Sequence, residues 1–157
     1  MVNQVWVNDK TQELLELKAQ KAQIRRNWEY DRHSYTDKLD DQLADTMRAL
    51  HRNNTPITEI MREYGTQDRN TVRNYLGRVT EGLYEDSELD IRTLKAQRKR
   101  AVARWRHDLP NRTAIIDDNI AIVIQAMRDE GLSQGKIAKL YGTTNQETIK
   151  GYLEREC

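Results

Sequence analysis

Hydrophobic residues recur at three- and four-residue spacing along most of the chain, and this spacing predicts helices. Two leading segments show it, with Leu14, Leu17, Ile24 and Trp28 in the first and Ile91, Leu94, Ala101 or Val102, and Trp105 in the second. Two following segments show it as well, with Leu39, Leu43, Met47 and Leu50, and with Ile116, Ile120, Ile124 and Met127. Alternating runs and hairpin dipeptides, which would indicate strands, are missing. We therefore expect an all-α protein.

The leading helices are expected to end before the following helices begin. Pro110-Asn111 should stop the second leading helix, because proline lacks the backbone donor and clashes with the preceding turn. The first should end near His33-Ser34. Each following helix then starts close to a repeated acidic pair, Asp40-Asp41 or Asp117-Asp118. Acidic side chains near a helix start are favoured by the helix dipole, which is a commoner role for such pairs than metal binding.

These segments belong to one sequence that occurs twice. Residues 14–78 align without a gap to residues 91–155, at an offset of 77 positions, and 19 of the 65 aligned pairs are identical. A repeat of about 65 residues is near the lower size limit for folding alone. The two repeats are therefore expected to support one another through a shared face.

The last third of each repeat contains a glycine turn between two short helices. In repeat one, a helix starting at Thr55-Pro56 reaches Gly65, and Asp68 precedes the next helix. Gly142 and Asn145 hold the same places in repeat two. Glycine accepts a positive φ that side chains disfavour, and Asp or Asn can accept hydrogen bonds from the free amides of a helix start. This arrangement predicts a helix-turn-helix in each repeat.

These features resemble the helix-turn-helix DNA-binding families, especially the homeodomain-like modules of bacterial and phage regulators, recombinases and transposases. The resemblance covers residues 55–78 and 132–155. The aliphatic residue after the turn, Val72 or Ile149, lies one position further from the glycine than is usual in these families, so we expect a longer turn. The resemblance implies that the second helix of each motif enters the major groove of DNA.

Outward residues of the second helix would then contact base edges. Arg can pair with guanine, and Asn or Gln with adenine, through two hydrogen bonds each. In repeat one the candidates are Gln67, Arg69, Asn70, Arg73, Asn74 and Arg78. In repeat two they are Thr144, Asn145, Gln146 and Lys150. Repeat two should bind more weakly or read a different half-site, because Glu147 can accept from cytosine but repels phosphate, and Gly151 weakens the helix by about 1 kcal/mol.

Charge is unevenly distributed although the net charge is only +1. Residues 81–90 hold five acids and no base, whereas residues 91–107 hold seven bases and no acid. Lys95, Arg98 and Lys99 of the basic segment are candidates for phosphate contacts, which add affinity and salt dependence without sequence information. The alternative is that the acidic segment simply neutralises the basic helix.

The predicted domains are helix-turn-helix unit one at residues 1–80, an acidic linker at 81–90, and helix-turn-helix unit two at 91–157. Ile115, Ile122 and Val123 make the second helix of unit two apolar nearly all round. A helix of this kind is usually buried, so we expect these residues to pack on unit one, on a second copy of the chain, or on another protein. Trp28 and Trp105 are expected in the core.

No catalytic, cofactor or metal site is predicted. The histidines His33, His51 and His107 are scattered, without a cysteine or carboxylate set at ligand spacing, and no Gly-rich phosphate loop or nucleophile elbow occurs. The one cysteine, Cys157, excludes an internal disulfide and suits the cytosol. No signal peptide or membrane-spanning run is recognisable.

We therefore expect a cytoplasmic, non-enzymatic protein that binds double-stranded DNA at a bipartite site. It would act as a transcriptional regulator or as a site-marking factor in excision or packaging, and the resemblance suggests a phage or mobile-element origin. The alternative is a helical adaptor or inhibitor that binds protein and not DNA.

Overall fold

The computed structural model describes residues 3–85 and 90–156. These parts of the chain form helices and no strand, which confirms the predicted all-α class. The helices are α1 (Gln4–Arg52), α2 (Ile57–Tyr64), α3 (Arg69–Leu76), α4 (Ile91–Asp129), α5 (Gln134–Tyr141) and α6 (Gln146–Glu154).

The prediction that the first leading helix ends near His33-Ser34 is wrong, because α1 continues through this point to Arg52. The hydroxyl of Ser34 donates to the carbonyl of Asp31 at 2.6 Å, and that of Thr36 donates to the carbonyl of Arg32 at 3.4 Å. These side chains thus bond back to the preceding turn of the same helix and do not cap a new one.

The prediction that Pro110-Asn111 stops a helix is also wrong, since α4 runs from Ile91 to Asp129 with Pro110 inside it. An interior proline costs a helix about 3 kcal/mol. Buried apolar residues lie on both sides of it, Trp105 before the proline and Ile116 after it. Each buried side chain of this size contributes about 1.5–3 kcal/mol, which is comparable with the cost of the proline.

The chain divides into two compact units that do not follow the repeat. We call Tyr30–His107 the central unit, and Met1–Glu29 together with Asp108–Cys157 the terminal unit. Helices α1 and α4 each contribute one half to each unit. The boundaries expected from the repeat, at residues 80 and 91, both lie inside the central unit. The units are defined by contacts between side chains in the folded protein, whereas the repeat is defined by similarity along the sequence.

The core of the central unit combines residues from both repeats. Leu43, Met47, Ile60 and Val72 come from repeat one, whereas Ile91 and Leu94 come from the start of α4 in repeat two. All six are almost completely buried. The leading segment of repeat two therefore completes the core around the short helices of repeat one.

In the terminal unit, the leading segment of repeat one packs on the short helices of repeat two. Val7 and Leu14 of α1 join a core formed by α4, α5 and α6, whose buried residues include Ile116, Ile120, Val123, Ile124, Met127, Ile137, Ile149 and Tyr152. The predicted core positions of the second leading and following helices are buried, except that Ala101 and Val102 are only half-buried. Trp28 and Trp105 are 8% and 7% exposed, as expected for core residues.

Burial differs among the three apolar residues that were expected to pack together, Ile115, Ile122 and Val123. Val123 is buried in the core of the terminal unit, but Ile115 and Ile122 are 77% and 54% exposed. The helical rotation of about 100° per residue turns Val123 inward while its neighbour faces outward. Ile115 and Ile122 therefore do not pack on unit one, and their packing on a second copy or on another protein stays a prediction.

Both glycine turns have the predicted geometry. Gly65 and Gly142 have φ angles of +82° and +87°. Asp68 accepts a hydrogen bond from the amide of Asn70 at 2.9 Å, and Asn145 accepts one from the amide of Glu147 at 3.0 Å. These side chains satisfy free donors at the starts of α3 and α6.

Gly65→Ala is expected to lower the free energy of unfolding by about 1–2 kcal/mol, because an alanine there would hold a left-handed conformation. A β-carbon would also lie 3.2 Å from Nζ of Lys95. Gly151→Ala is the matched control: a β-carbon there meets no atom within 4 Å, so the variant should gain about 0.5–1 kcal/mol through helix propensity. Urea denaturation measures both, and equal effects of the two variants would contradict this account.

Candidate nucleic-acid interface

Helix α3 presents a polar face with two arginines and two asparagines. Arg69, Asn70, Arg73 and Asn74 are exposed, whereas Val72 on the opposite face is completely buried. Because Val72 and the Asp68 cap hold the short helix in place, the four polar side chains project from a fixed backbone. Their guanidinium and amide groups have the donors and acceptors needed for bidentate contacts to base edges.

The two ends of this predicted face differ in their surroundings. Gln67 is exposed in the turn before α3. Arg78 is half-buried, and its guanidinium pairs with Asp41 at 2.9 Å and with Asp37 at 3.6 Å. Arg155 pairs with Asp118 at 2.7 Å in the second repeat. This retained pair braces the end of each repeat against a long helix, a role that the sequence did not reveal.

Helix α6 offers a poorer face. Thr144, Gln146 and Lys150 are exposed, and the side chain of Asn145 is engaged as the helix cap. Glu147 is exposed on the same helix. These residues of α6 therefore include one cation and one acid, whereas the exposed face of α3 has two arginines and no acid.

Each short helix before a glycine turn is held by a lysine from the other repeat. Lys95 donates to the carbonyl of Tyr64 at 2.6 Å and lies 4.6 Å from the centre of its ring. Lys18 donates to the carbonyl of Tyr141 at 2.8 Å and lies 4.7 Å from that ring centre. The lysines satisfy carbonyls at helix ends that lack a backbone donor. These contacts show at atomic level how the repeats exchange their leading segments.

The acidic pairs lie in the interiors of α1 and α4, so their predicted place at a helix start is wrong. Asp40 accepts hydrogen bonds from the hydroxyl of Tyr75 at 2.9 Å and from Nε of Arg98 at 2.7 Å. Asp117 accepts from Tyr152 at 2.9 Å and pairs with Lys21 at 2.7 Å. Each aspartate thereby joins a second short helix of one repeat to a leading segment of the other.

The pKa values of Tyr152 and Asp117 agree with the direction of their hydrogen bond. Burial, together with the hydrogen bond to Asp117, raises the pKa of Tyr152 to about 12. Burial opposes the charged form of Asp117, but the hydrogen bonds from Lys21 and Tyr152 outweigh it and lower its pKa. The hydroxyl therefore stays a donor and the carboxylate an acceptor at neutral pH.

No ion pair joins the described acids of residues 81–90 to the basic segment at the start of α4, although the charge of Arg92 helps the hydrogen bonds from Thr93 to lower the pKa of Asp90. Glu85 pairs with Arg52 at 2.5 Å, and Asp90 accepts a hydrogen bond from the amide of Thr93 at 2.7 Å. Asp86 and Glu88 lie outside the described residues. Lys99, Arg100, Arg104 and Arg106 are exposed and form no ion pair with any described residue.

The compact units bring together candidates that the repeat had separated. The exposed face of α3 comes from repeat one, and Lys95, Arg98 and Lys99 come from repeat two, but all of them belong to the central unit. Thr144, Asn145, Gln146 and Lys150 belong to the terminal unit. One unit therefore holds both the better candidate for base contacts and the candidates for phosphate contacts.

Other kinds of site are not evident in the described parts of the chain. No group of three or more His, Cys, Asp or Glu side chains there could hold a metal ion. No helix in residues 3–85 or 90–156 is long and apolar enough to cross a membrane.

The fold and this surface define an all-α protein with two capped helix pairs, one of which carries an exposed basic and amide-rich face. Comparison with protein-family models, with curated proteins and with solved structures found no match for this chain.

Proposed function

We propose that this chain is a sequence-specific double-stranded-DNA-binding protein whose central unit carries most of the recognition. The observation that supports this proposal is the composition of one exposed helical face, which has Arg69, Asn70, Arg73 and Asn74 and no carboxylate. A solvated helix face without a ligand ordinarily mixes acids with bases. A face of arginine and asparagine alone matches the hydrogen-bonding edges of guanine and adenine.

In this proposal α3 enters the major groove as a recognition helix, with its N-terminal residues towards the bases. Arg69 and Arg73 contact guanines, Asn70 and Asn74 contact adenines, and Gln67 contacts the DNA from the turn. Helix α6 reads a second, weaker half-site through Gln146 and Lys150, which makes the target bipartite. The protein would act by occupying DNA, as a transcriptional regulator or as a site-marking factor in excision or packaging.

Selection from random duplex DNA tests the proposal directly. We expect one bipartite motif to be enriched. Binding to that motif should weaken steeply with salt, because each phosphate contact makes the slope of log affinity against log salt concentration more negative by about 0.9. Failure to enrich any motif would refute sequence-specific binding.

A helical adaptor is the second candidate, and the exposure of Ile115 and Ile122 favours it. These residues are seven positions apart on α4, so they lie on one face two turns apart. An apolar docking surface predicts association that changes little with ionic strength. The same salt titration therefore separates the two functions.

A further inference from the structure

A cavity of about 360 Å³ in the central unit is lined by five cations, and none of its described lining residues is a carboxylate. Its lining residues are Arg32, Tyr64, Lys95, Arg98, Lys99, Val102, Ala103 and Arg106. Five positive side chains around one cavity repel one another unless an anion is present. This surface therefore has an electrostatic reason to bind a negatively charged group.

Three of the five cations are held in place by neighbouring groups. Lys95 donates to the carbonyl of Tyr64, Arg98 pairs with Asp40, and Arg32 lies 5.4 Å from the ring centre of Trp105. Asp40 offsets the charge of Arg98, but the carbonyl and the ring leave the charges of Lys95 and Arg32 in place. These side chains form a preorganised positive wall.

Lys99 and Arg106 complete the cavity as exposed cations that form no ion pair with the residues described. Their side chains have hydrogen-bond donors free to meet a ligand. Lysine contributes a point charge, whereas the planar guanidinium of arginine can bind two oxygens of one phosphate. This donor set suits a phosphate group.

Arg98 connects this cavity to the recognition helix. It also lines a neighbouring cavity formed by Thr71, Asn74 and Tyr75 of α3. Tyr75 and Arg98 donate to the same oxygen of Asp40. The positive cavity is thus joined to α3 through Arg98 and Asp40.

We propose that this cavity binds a backbone phosphodiester of the DNA whose bases α3 reads. The inference rests on the proposed function and assigns the main phosphate anchor to Lys99 and Arg106. The corresponding cavity of the terminal unit is lined by Lys21 and Arg25 but also by the carboxylate of Asp117. Leu109, Ala22 and Glu29 occupy the positions of Arg32, Lys99 and Arg106 there. The anchor therefore places most of the affinity, as well as the better reading surface, in the central unit.

The test compares two double variants of the same helix. In Lys99→Ala with Arg106→Ala both exposed cations of the cavity are lost. In the control, Arg100→Ala with Arg104→Ala, two exposed cations that do not line the cavity are lost. Both pairs remove the same charge from exposed positions of α4, so a difference between them reports the site and not net charge.

The cavity variant is expected to bind the selected duplex and an unrelated duplex about tenfold or more weakly than wild type, with the motif unchanged. The magnitude of its slope of log affinity against log salt concentration should decrease by about two, since each lost phosphate contact removes about 0.9. The control variant should stay within about threefold of wild type. Circular dichroism verifies that both variants retain their helices.

Three other outcomes overturn the proposal in different ways. Equal losses in the two double variants, with the motif intact, reject the cavity but leave the proposed function standing. Absence of duplex binding by the wild-type protein rejects both. In a nuclear magnetic resonance titration, shifts of the Arg98 and Arg106 side chains on adding inorganic phosphate, but not on adding unrelated duplex, would assign the cavity to free phosphate.

Discussion

Replacing Arg69 and Arg73 with alanine is expected to weaken binding to the selected duplex by about 100-fold or more and to erase part of its motif. Each bidentate arginine–guanine contact contributes about 1–3 kcal/mol of discrimination. Both side chains are exposed, and Val72 with the Asp68 cap holds α3 independently of them. Because alanine is a good helix former, the loss should appear in binding and not in stability.

The repeat supplies a matched control for this experiment. Gln146 and Lys150 stand 77 positions after Arg69 and Arg73. Their replacement with alanine should weaken binding by less than about tenfold, because Glu147 repels phosphate and Gly151 weakens α6, so that α6 contributes less to binding. Selection with each double variant measures the outcome. An unchanged motif with the Arg69 and Arg73 variant would contradict the assignment of α3, and equal losses would contradict the unequal roles of α3 and α6.

Asp45→Ala is expected to lower the free energy of unfolding by about 3–5 kcal/mol, the usual cost of removing one partner from a buried ion pair. Asp45 is completely buried. It accepts hydrogen bonds from Arg48 at 2.6 Å, Thr80 at 2.5 Å and the amide of Tyr84 at 3.0 Å. The variant leaves these donors unsatisfied and releases the segment after α3.

Urea denaturation of Asp45→Ala beside Asp41→Ala provides the measurement. Asp41 lies one turn earlier in α1 and pairs with a half-exposed Arg78, so its removal should cost only about 0–1 kcal/mol. A similar cost for both variants would show that the buried carboxylate is not a principal anchor.

The same carboxylate predicts a pH dependence. Burial opposes the charged form of Asp45, but the hydrogen bonds from Thr80, Tyr84 and Arg48 outweigh it and hold its pKa below the ordinary value of 3.8. A lowered pKa in the folded state stabilises the protein above the unfolded pKa, and this contribution is lost as pH falls through the folded pKa. Wild type should therefore lose stability below about pH 4, and Asp45→Asn should show a smaller dependence.

The long helices show why local signals failed where they did. Ser34 and Pro110 are ordinary helix-ending signals, yet α1 and α4 pass through both. Ser34 has a carbonyl of its own helix to bond, and the helix around Pro110 is held by burial on both sides. Neither fact can be read from the residues next to the signal.

The positive cavity was only partly foreseeable. Lys95, Lys99 and Arg106 are spaced along one face of a helix, and this spacing is a usable signal. Arg32 comes from the other repeat, 63 positions before Lys95, and nothing in the sequence indicates that it lies nearby.

The sequence by itself determined the helical class, the glycine turns at Gly65 and Gly142, and the caps at Asp68 and Asn145, because these depend on side chains within a few residues. Only the tertiary structure decided which leading segment packs on which short helices. The same residue types, Lys18 and Lys95 on one side and Tyr64 and Tyr141 on the other, occur in both repeats. The sequence is therefore equally consistent with a lysine–tyrosine contact within one repeat and with a contact between the two repeats. Because α1 and α4 are continuous, each leading segment packs on the short helices of the other repeat. As a result, α3 and the basic first half of α4 belong to the same unit.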